Sequence, residues 1–436
     1  MQSTKSRWPW VVVDRRQRSK NETTGASKPS SSGSSSKWKE YIALATVPLV
    51  LVLGNSMLVP ILPDIERQLS ISNFQSSLII TLFSVTAGLF IPIAGYLSDR
   101  FSRKSVILPS LAVYGAAGIL AGFGAVWGSY TIVIWARALQ GLGAAGTAPI
   151  AMALVGDMYK DGNESEALGL IEASNGAGKV VSPILGSLFA LIIWYAPFFA
   201  FPFFCALSLL AMIWLIHEPK KKTQAPPVKY YLRQIGVIFR EQGGWLIPSF
   251  FVGALALFIL FGALFYLSDI LEKPPYSIDG VAKGGILAIP LLGLVVTAYI
   301  CGRKIKNNGP LMKRLMAIGL AAMTLALGAA ILLYNQLYLL IGLLLLSSIG
   351  TGLVLPCLNT MIAGAVDRQH RGIIMSLYSS LRFLGVAFGP PLFGWLMGYS
   401  QLLLFSLITA LAAISLVLSL WRIHPPAKAG DSPSTA

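Results

Sequence analysis

Twelve apolar stretches, each long enough to cross a bilayer, constrain this chain more than any other feature of its sequence. They begin near Tyr41, Gln75, Ser105, Ser129, Ala167, Ala196, Trp245, Val281, Lys313, Leu337, Gly372 and Ser400. A hydrocarbon core ~30 Å thick is spanned by about 20 helical residues. Charged residues are 12% of the 436, half the share of a soluble domain, and mean hydropathy is +0.68. The sequence predicts an all-α membrane protein with twelve transmembrane helices.

The net charge of +16 would fit a nucleic-acid partner if it formed a patch. With the N-terminus in the cytoplasm and the spans alternating, 28 of the 34 Lys and Arg fall on the cytoplasmic side. Three fall outside (Arg67, Lys273, Lys283) and three within spans (Arg137, Lys179, Arg382). Such a bias sets membrane orientation. It places both termini in the cytoplasm of a cell-membrane protein and argues against nucleic acid. Residues 1–40, basic and Ser-rich, are expected to be a disordered cytoplasmic tail, and 422–436 a second cytoplasmic tail.

The longest polar interruption divides six spans from six, giving an N-terminal bundle 41–217, a cytoplasmic linker 218–244 and a C-terminal bundle 245–421. The linker holds Lys220, Lys221 and Lys222, and its stretch from Val228 to Arg240 reads as an amphipathic helix along the membrane surface. At one offset of 207 residues Gly95 falls on Gly302, Gly143 on Gly350, Pro149 on Pro356, Gly178 on Gly385 and Pro183 on Pro390. Halves repeated in parallel about an axis along the membrane normal create a central site that rocking can expose to either side.

Four motifs carry more specific information. The first span reads LGNSMLVPILP (Leu53 to Pro63), and GYLSDRFSRK (Gly95 to Lys104) follows the second. The fourth holds IVIWARALQGLGAAG, and the fifth holds GKVVSPILGS, repeated in the eleventh as GVAFGPPLFG. In the loop that ends at Lys104, Arg100 and Arg103 can pair with Asp99 and Asp157 or cap helix C-termini; a lock is one reading, favoured because Asp99 adds nothing to an anchor, and a simple cytoplasmic anchor is the other. Gly178, Pro183 and Gly186, with Gly385, Gly389 and Pro390, read as close packing between helices.

Over about residues 40–421 these motifs resemble the major facilitator superfamily, and within it the twelve-span drug:proton antiporters. Ser102, Ser182 and Ser187 stand where the family pattern has glycine. The resemblance implies alternating access, Gly95 to Lys104 as a gating loop, a seal between helices 5 and 8 mirrored by helices 11 and 2, and export of small organic molecules against protons. Proton-driven uptake of a sugar or organic acid, or a non-transporting sensor, are the other readings.

Charges inside the spans point to the site, since a Lys or Arg at mid-bilayer costs roughly 2.5–3.5 kcal/mol. Arg137 matches the motif arginine, tied in the family to proton transfer or to the shape of the cavity; a structural strut is the other reading. Glu172, read as the only carboxylate well within a span, is the proton-coupling candidate or else a structural partner, and Asp269 is a second candidate. Lys179 and Arg382, with Asn175 and Gln140, would line a cationic cavity that suits an acidic or catechol siderophore; Lys179 could instead pair with Glu172. Cys205, Cys301 and Cys357 lie far apart in apolar runs, and no metal set, cofactor motif, phosphate loop or nucleophile triad is present. The expected partners are a small substrate, protons and lipid, and the expected state is a monomer.

Overall fold

The computed structural model describes residues 32–159, 162–218, 227–305, 308–365 and 368–423. Both expected tails lie almost wholly outside the described residues, as does the side chain of Glu172. Apart from the first residues of α1, the architecture below lies within Lys39–Ala436. Among the described residues every regular element is helical: α1 (Ser32–Ser56), a short 3-10 turn (Val59–Ile61), α2 (Leu62–Leu69), α3 (Asn73–Arg100), α4 (Arg103–Val126), α5 (Tyr130–Ala145), α6 (Ala148–Met158) and α7 (Gly162–Ile192). There follow α8 (Ala196–Leu215), α9 (Val228–Glu272), α10 (Gly280–Ile305), α11 (Gly309–Leu333), α12 (Leu337–Ala365), α13 (Arg368–Met397) and α14 (Gln401–Arg422). They supply twelve segments long and apolar enough to cross a membrane; α1, the turn and α2 form the first, and α5 with α6 the fourth.

Short polar residues set the helix starts. Ser72 accepts the N–H of Gln75 while Gln75 reaches back to Ser72, a reciprocal cap that opens α3. Ser102 does the same with Ser105 at the start of α4, so the serine that replaces the motif glycine has a structural use. Ser129, Asn308 and Ser400 cap α5, α11 and α14.

The repeat governs the element boundaries. Adding 207 carries Asn73, which opens α3, onto Gly280, which opens α10, and Tyr130 of α5 onto Leu337 of α12. Packing repeats as well. A Cβ at Gly143 would sit 2.8 Å from the Ser110 carbonyl oxygen of α4, and one at Gly350 would sit 2.3 Å from the Gly319 carbonyl oxygen of α11. Corresponding helix pairs therefore meet backbone to backbone through corresponding glycines. α1 and α9, which also correspond, are the most enclosed spans. The first and second halves of the chain meet chiefly where α3 packs on α13 and α7 on α10.

One expectation changes. The stretch from Val228 is continuous with the seventh span in one helix of 45 residues, not a separate surface helix. Cys301 and Cys357, far apart in sequence, have their sulfurs 3.7 Å apart between α10 and α12.

Candidate functional site

Arg137 sits two turns into α5 and is fully buried. Its Nε donates to the Ile79 carbonyl (3.0 Å), Nη1 to the Gly54 carbonyl (3.2 Å) and the Gln140 Oε1 (2.5 Å), and Nη2 to the Asn55 Oδ1 (3.1 Å). Its face lies 4.5 Å from the Phe83 ring centroid. Gly54 is in the last turn of α1, where carbonyls lack helical partners and the helix end carries partial negative charge. The prolines at 60 and 63 stop α1 there, so the first-span motif builds the arginine's seat. Among the described residues no carboxylate pairs with Arg137, and Gln140 keeps a buried Nε2 without an acceptor. The centre is cationic and amide-lined.

Arg382 of α13 reaches the Asn359 Oδ1 at 3.5 Å and lies 5.5 Å from the Tyr378 ring centroid, and its buried Nε has no acceptor. Asn175 and Lys179 are half-buried one turn apart on α7. Gln140 is thus joined directly to Arg137, while Arg382 belongs to a separate contact in the second half. The proton role assigned to Glu172 falls on a side chain outside the described residues.

The Gly95–Lys104 loop centres on one residue. Arg103 Nη1 contacts Asp99 Oδ1 (2.6 Å) and donates to the Ser98 Oγ (2.7 Å), while its Nε meets Asp157 Oδ2 of α6 (2.9 Å). Lys104 Nζ donates to the Ile213 and Ile216 carbonyls at the end of α8 (3.0 and 2.7 Å). Arg100 is exposed. Glu218 was not anticipated: it accepts the backbone N–H groups of Arg103 and Lys104 (2.7 and 2.8 Å) and so caps α4. Its signal in the sequence was an acid just past a span end. At the same end, burial and the hydrogen bond to Glu40 push the Tyr159 phenol up. Gly95 faces Ser376 of α13.

The glycines of the motifs pack within each half, and the expected contacts of α7 with α10 and of α13 with α3 are present beside them. Gly178 and Gly186 of α7 face Leu49 of α1 and Met57 just past its end, and Gly385 and Gly389 of α13 face Ala254 and Phe258 of α9. They seal helices within each half. Between the halves, α7 meets α10 where Gly284 approaches the Pro183 carbonyl, and α3 meets α13 where Gly88 approaches Ser380. Pro183 and Pro390 lie inside α7 and α13.

The end of the molecule that carries the α2–α3 turn holds the larger surprise. Glu172 is not alone among carboxylates within spans. Lys283, expected outside, is buried in α10 and paired at 2.5 Å with buried Glu272 of α9. Arg67 bridges Glu272 to Asp64. Asp269 binds Lys273 (2.6 Å) and accepts from the Asn73 Nδ2 (3.0 Å), which also donates to Glu66 (3.2 Å). A cavity of about 540 Å³ opens here between Asn73, Asp269, Lys273, Tyr266, Tyr334 and Gln401. No group of His, Cys, Asp and Glu suited to a metal ion occurs among the described residues.

The Major Facilitator Superfamily model matches residues 44–325 and 311–436. The bacillibactin exporter of Bacillus subtilis (strain 168) is 44% identical over 389 residues, covering 88% of this chain and 96% of that protein. The class C tetracycline resistance protein of Escherichia coli is 27% identical over 80% of this chain and 87% of that protein. The crystal structure of the human organic anion transporter MFSD10 (TETRAN) shares the fold, with a TM-score of 0.68 and 20% identity over 88% of this chain and 99% of that one. The twelve spans, the 207-residue repeat and the Arg103-centred loop share one explanation: the chain belongs to the Major Facilitator Superfamily, a family of multi-pass membrane transporters rather than enzymes.

Proposed function

We propose that this chain exports small organic molecules from the cytoplasm in exchange for protons, with an acidic or catechol siderophore as the preferred class. The observation that carries the reading is the 44% identity to a bacillibactin exporter along nearly the whole of both chains. The cationic, amide-lined centre at Arg137 supports it, since a buried cation for which the described residues supply no carboxylate favours an anionic or phenolic guest; in this reading Lys179 and Arg382 add charge to the cavity. In this reading segments 41–217 and 245–421 rock about the linker 218–244, both termini are cytoplasmic, and one chain in the cell membrane suffices. Glu172 carries the exchanged proton, Arg137 shapes the cavity and Asp269 serves the opposite end. The Arg103 cluster locks the cytoplasmic end.

The test is substrate-driven proton movement in proteoliposomes under an imposed pH gradient, with bacillibactin compared against a lipophilic cationic dye. Proton movement with bacillibactin is expected, and its loss in Glu172→Gln would support the coupling role. Movement with the dye alone would overturn the siderophore reading in favour of general drug export, which the relationship to a tetracycline resistance protein favours. Uphill transport by Glu172→Gln would remove that residue from the coupling.

A further inference from the structure

The polar network at the α2–α3 end is a seam between the two halves of the chain. Asn73 of α3 places its Nδ2 between Glu66 Oε1 of α2 (3.2 Å) and Asp269 Oδ1 of α9 (3.0 Å), so one amide bridges two carboxylates contributed by different halves. Arg67 joins α2 to Glu272 of α9, and the Ser268 Oγ of α9 donates to the Val59 carbonyl (2.9 Å). The charges that face the pair are Asp64 and Arg67 on α2, Glu272 and Lys273 on α9, Asp279 on the following connection and Lys283 on α10.

The pairing is incomplete in a specific way. Asp64 and Glu272 share Arg67, Glu272 also holds Lys283, and Asp269 holds Lys273. Asp279 is exposed to solvent. Glu66 is half-buried and is the acid for which, among the described residues, no cation lies within 4.0 Å; it has the Ser76 hydroxyl (2.5 Å) and the Asn73 amide. The Asn73 Oδ1 is buried and has no donor, so the bridge lacks one hydrogen on its acceptor side. A carboxylate in a partly dry seam with no cation beside it, and with a second carboxylate at the same donor, is the place for an added proton. The cavity lined by Asn73 and Asp269 brings water to Asp269 and to the bridging amide.

We infer that closing the α2–α3 end takes up one proton at the Glu66–Asn73–Asp269 bridge, and opening it releases that proton. The network has more acids than cations when the seam is closed, and separating the halves lets water solvate both carboxylates. This deepens the export reading and rests on it for its place in the cycle: a proton taken from outside would accompany closure of the outer end, resetting the carrier after substrate has left. Closure itself is a property of the empty protein and is measured apart from transport.

The experiment is a distance measurement by spin labels at Gln68→Cys and Gln336→Cys, in a background with the three native cysteines replaced by alanine. The protein is reconstituted in lipid without substrate or gradient, between pH 5 and 8. The closed-to-open ratio is expected to rise as pH falls, by roughly tenfold per unit within the titration window, the slope for one proton. Glu66→Gln should be predominantly closed with that slope lost, and Asp269→Asn should flatten it too. A slope unchanged in Glu66→Gln, or a ratio independent of pH in the parent, overturns the inference. If bacillibactin drives no protons while the slope is present, the export reading alone fails.

Discussion

At the scale of single residues, the centre depends on the shape of a guanidinium. Arg137 uses three nitrogens at once to reach two backbone carbonyls and two side-chain amides. A lysine keeps the charge but offers one nitrogen, so Arg137→Lys forfeits about two hydrogen bonds, each worth about 1 kcal/mol. Stability should fall by about 2 kcal/mol in denaturant unfolding, and transport by tenfold or more at equal membrane level. Wild-type transport in this variant would show that only the charge matters. Arg103 is a hub of another kind, since Asp99 and Asp157 share it and both are partly exposed. Exposed pairs contribute about 0.2–1 kcal/mol each. Asp99→Asn or Asp157→Asn alone should slow transport modestly, while the double variant should lose more than the product of the two. Strictly multiplicative losses would show that the acids act independently. Arg137 was legible as a charge in an apolar run, but its carbonyl partners carry no mark in a sequence. Glu218 went unread because it stands beside the lysine run of the linker.

At the scale of helices, two hydrogen bonds across the halves use one device. Proline has no N–H, so the carbonyl four residues before it lacks its helical donor. Pro92 frees Gly88, whose carbonyl accepts the Ser380 hydroxyl at 2.5 Å. Pro391 frees Ala387, which accepts Thr81 at 2.6 Å. Each proline was legible as a bend, but the hydroxyl that uses the freed carbonyl lies about 300 residues away, beyond any local pattern. Thr81→Val should remove about 1 kcal/mol of contact between α3 and α13, about a fivefold fall in the closed-to-open ratio. Pro391→Ala returns an N–H to α13 that competes for the Ala387 carbonyl. Thr81→Val should therefore cost less in that background, and equal costs in both backgrounds would count against the device. The glycines act by contact instead. A Cβ at Gly186 would lie 2.1 Å from the Met57 carbonyl oxygen. Gly186→Ala should consequently spread α7 from α1 and reduce folded protein, whereas Gly364→Ala, with open space around it, should be tolerated; equal yields of the two would refute the packing argument.

At the scale of the whole molecule, the sequence repeat and the structure differ in symmetry. The offset of 207 was legible from glycines and prolines because backbone contacts forbid larger residues at equivalent places in each half, as Gly143 and Gly350 show. The asymmetry between the two ends was not legible. Lys283 reads as a loop residue until α9 brings Glu272 against it, and Glu66 reads as solvent-facing until Asn73 and Asp269 cover it. The ion pair that joins the halves, Arg67 with Glu272, lies at the α2–α3 end, whereas the Arg103 cluster at the other end stays within the first half. The excess of Lys and Arg gathers at the second end, where Arg100, Arg103, Lys104, Arg303 and Lys304 terminate or open helices. Basic flanks are held back on the cytoplasmic side during insertion. The Arg103 end should consequently face the cytoplasm and the Glu66 end the exterior. A green fluorescent protein fused after Glu218 should fluoresce, and alkaline phosphatase fused after Gln336 should be active. The opposite pattern would invert the molecule, making the charged seam its cytoplasmic closure and turning the proposed proton uptake inward.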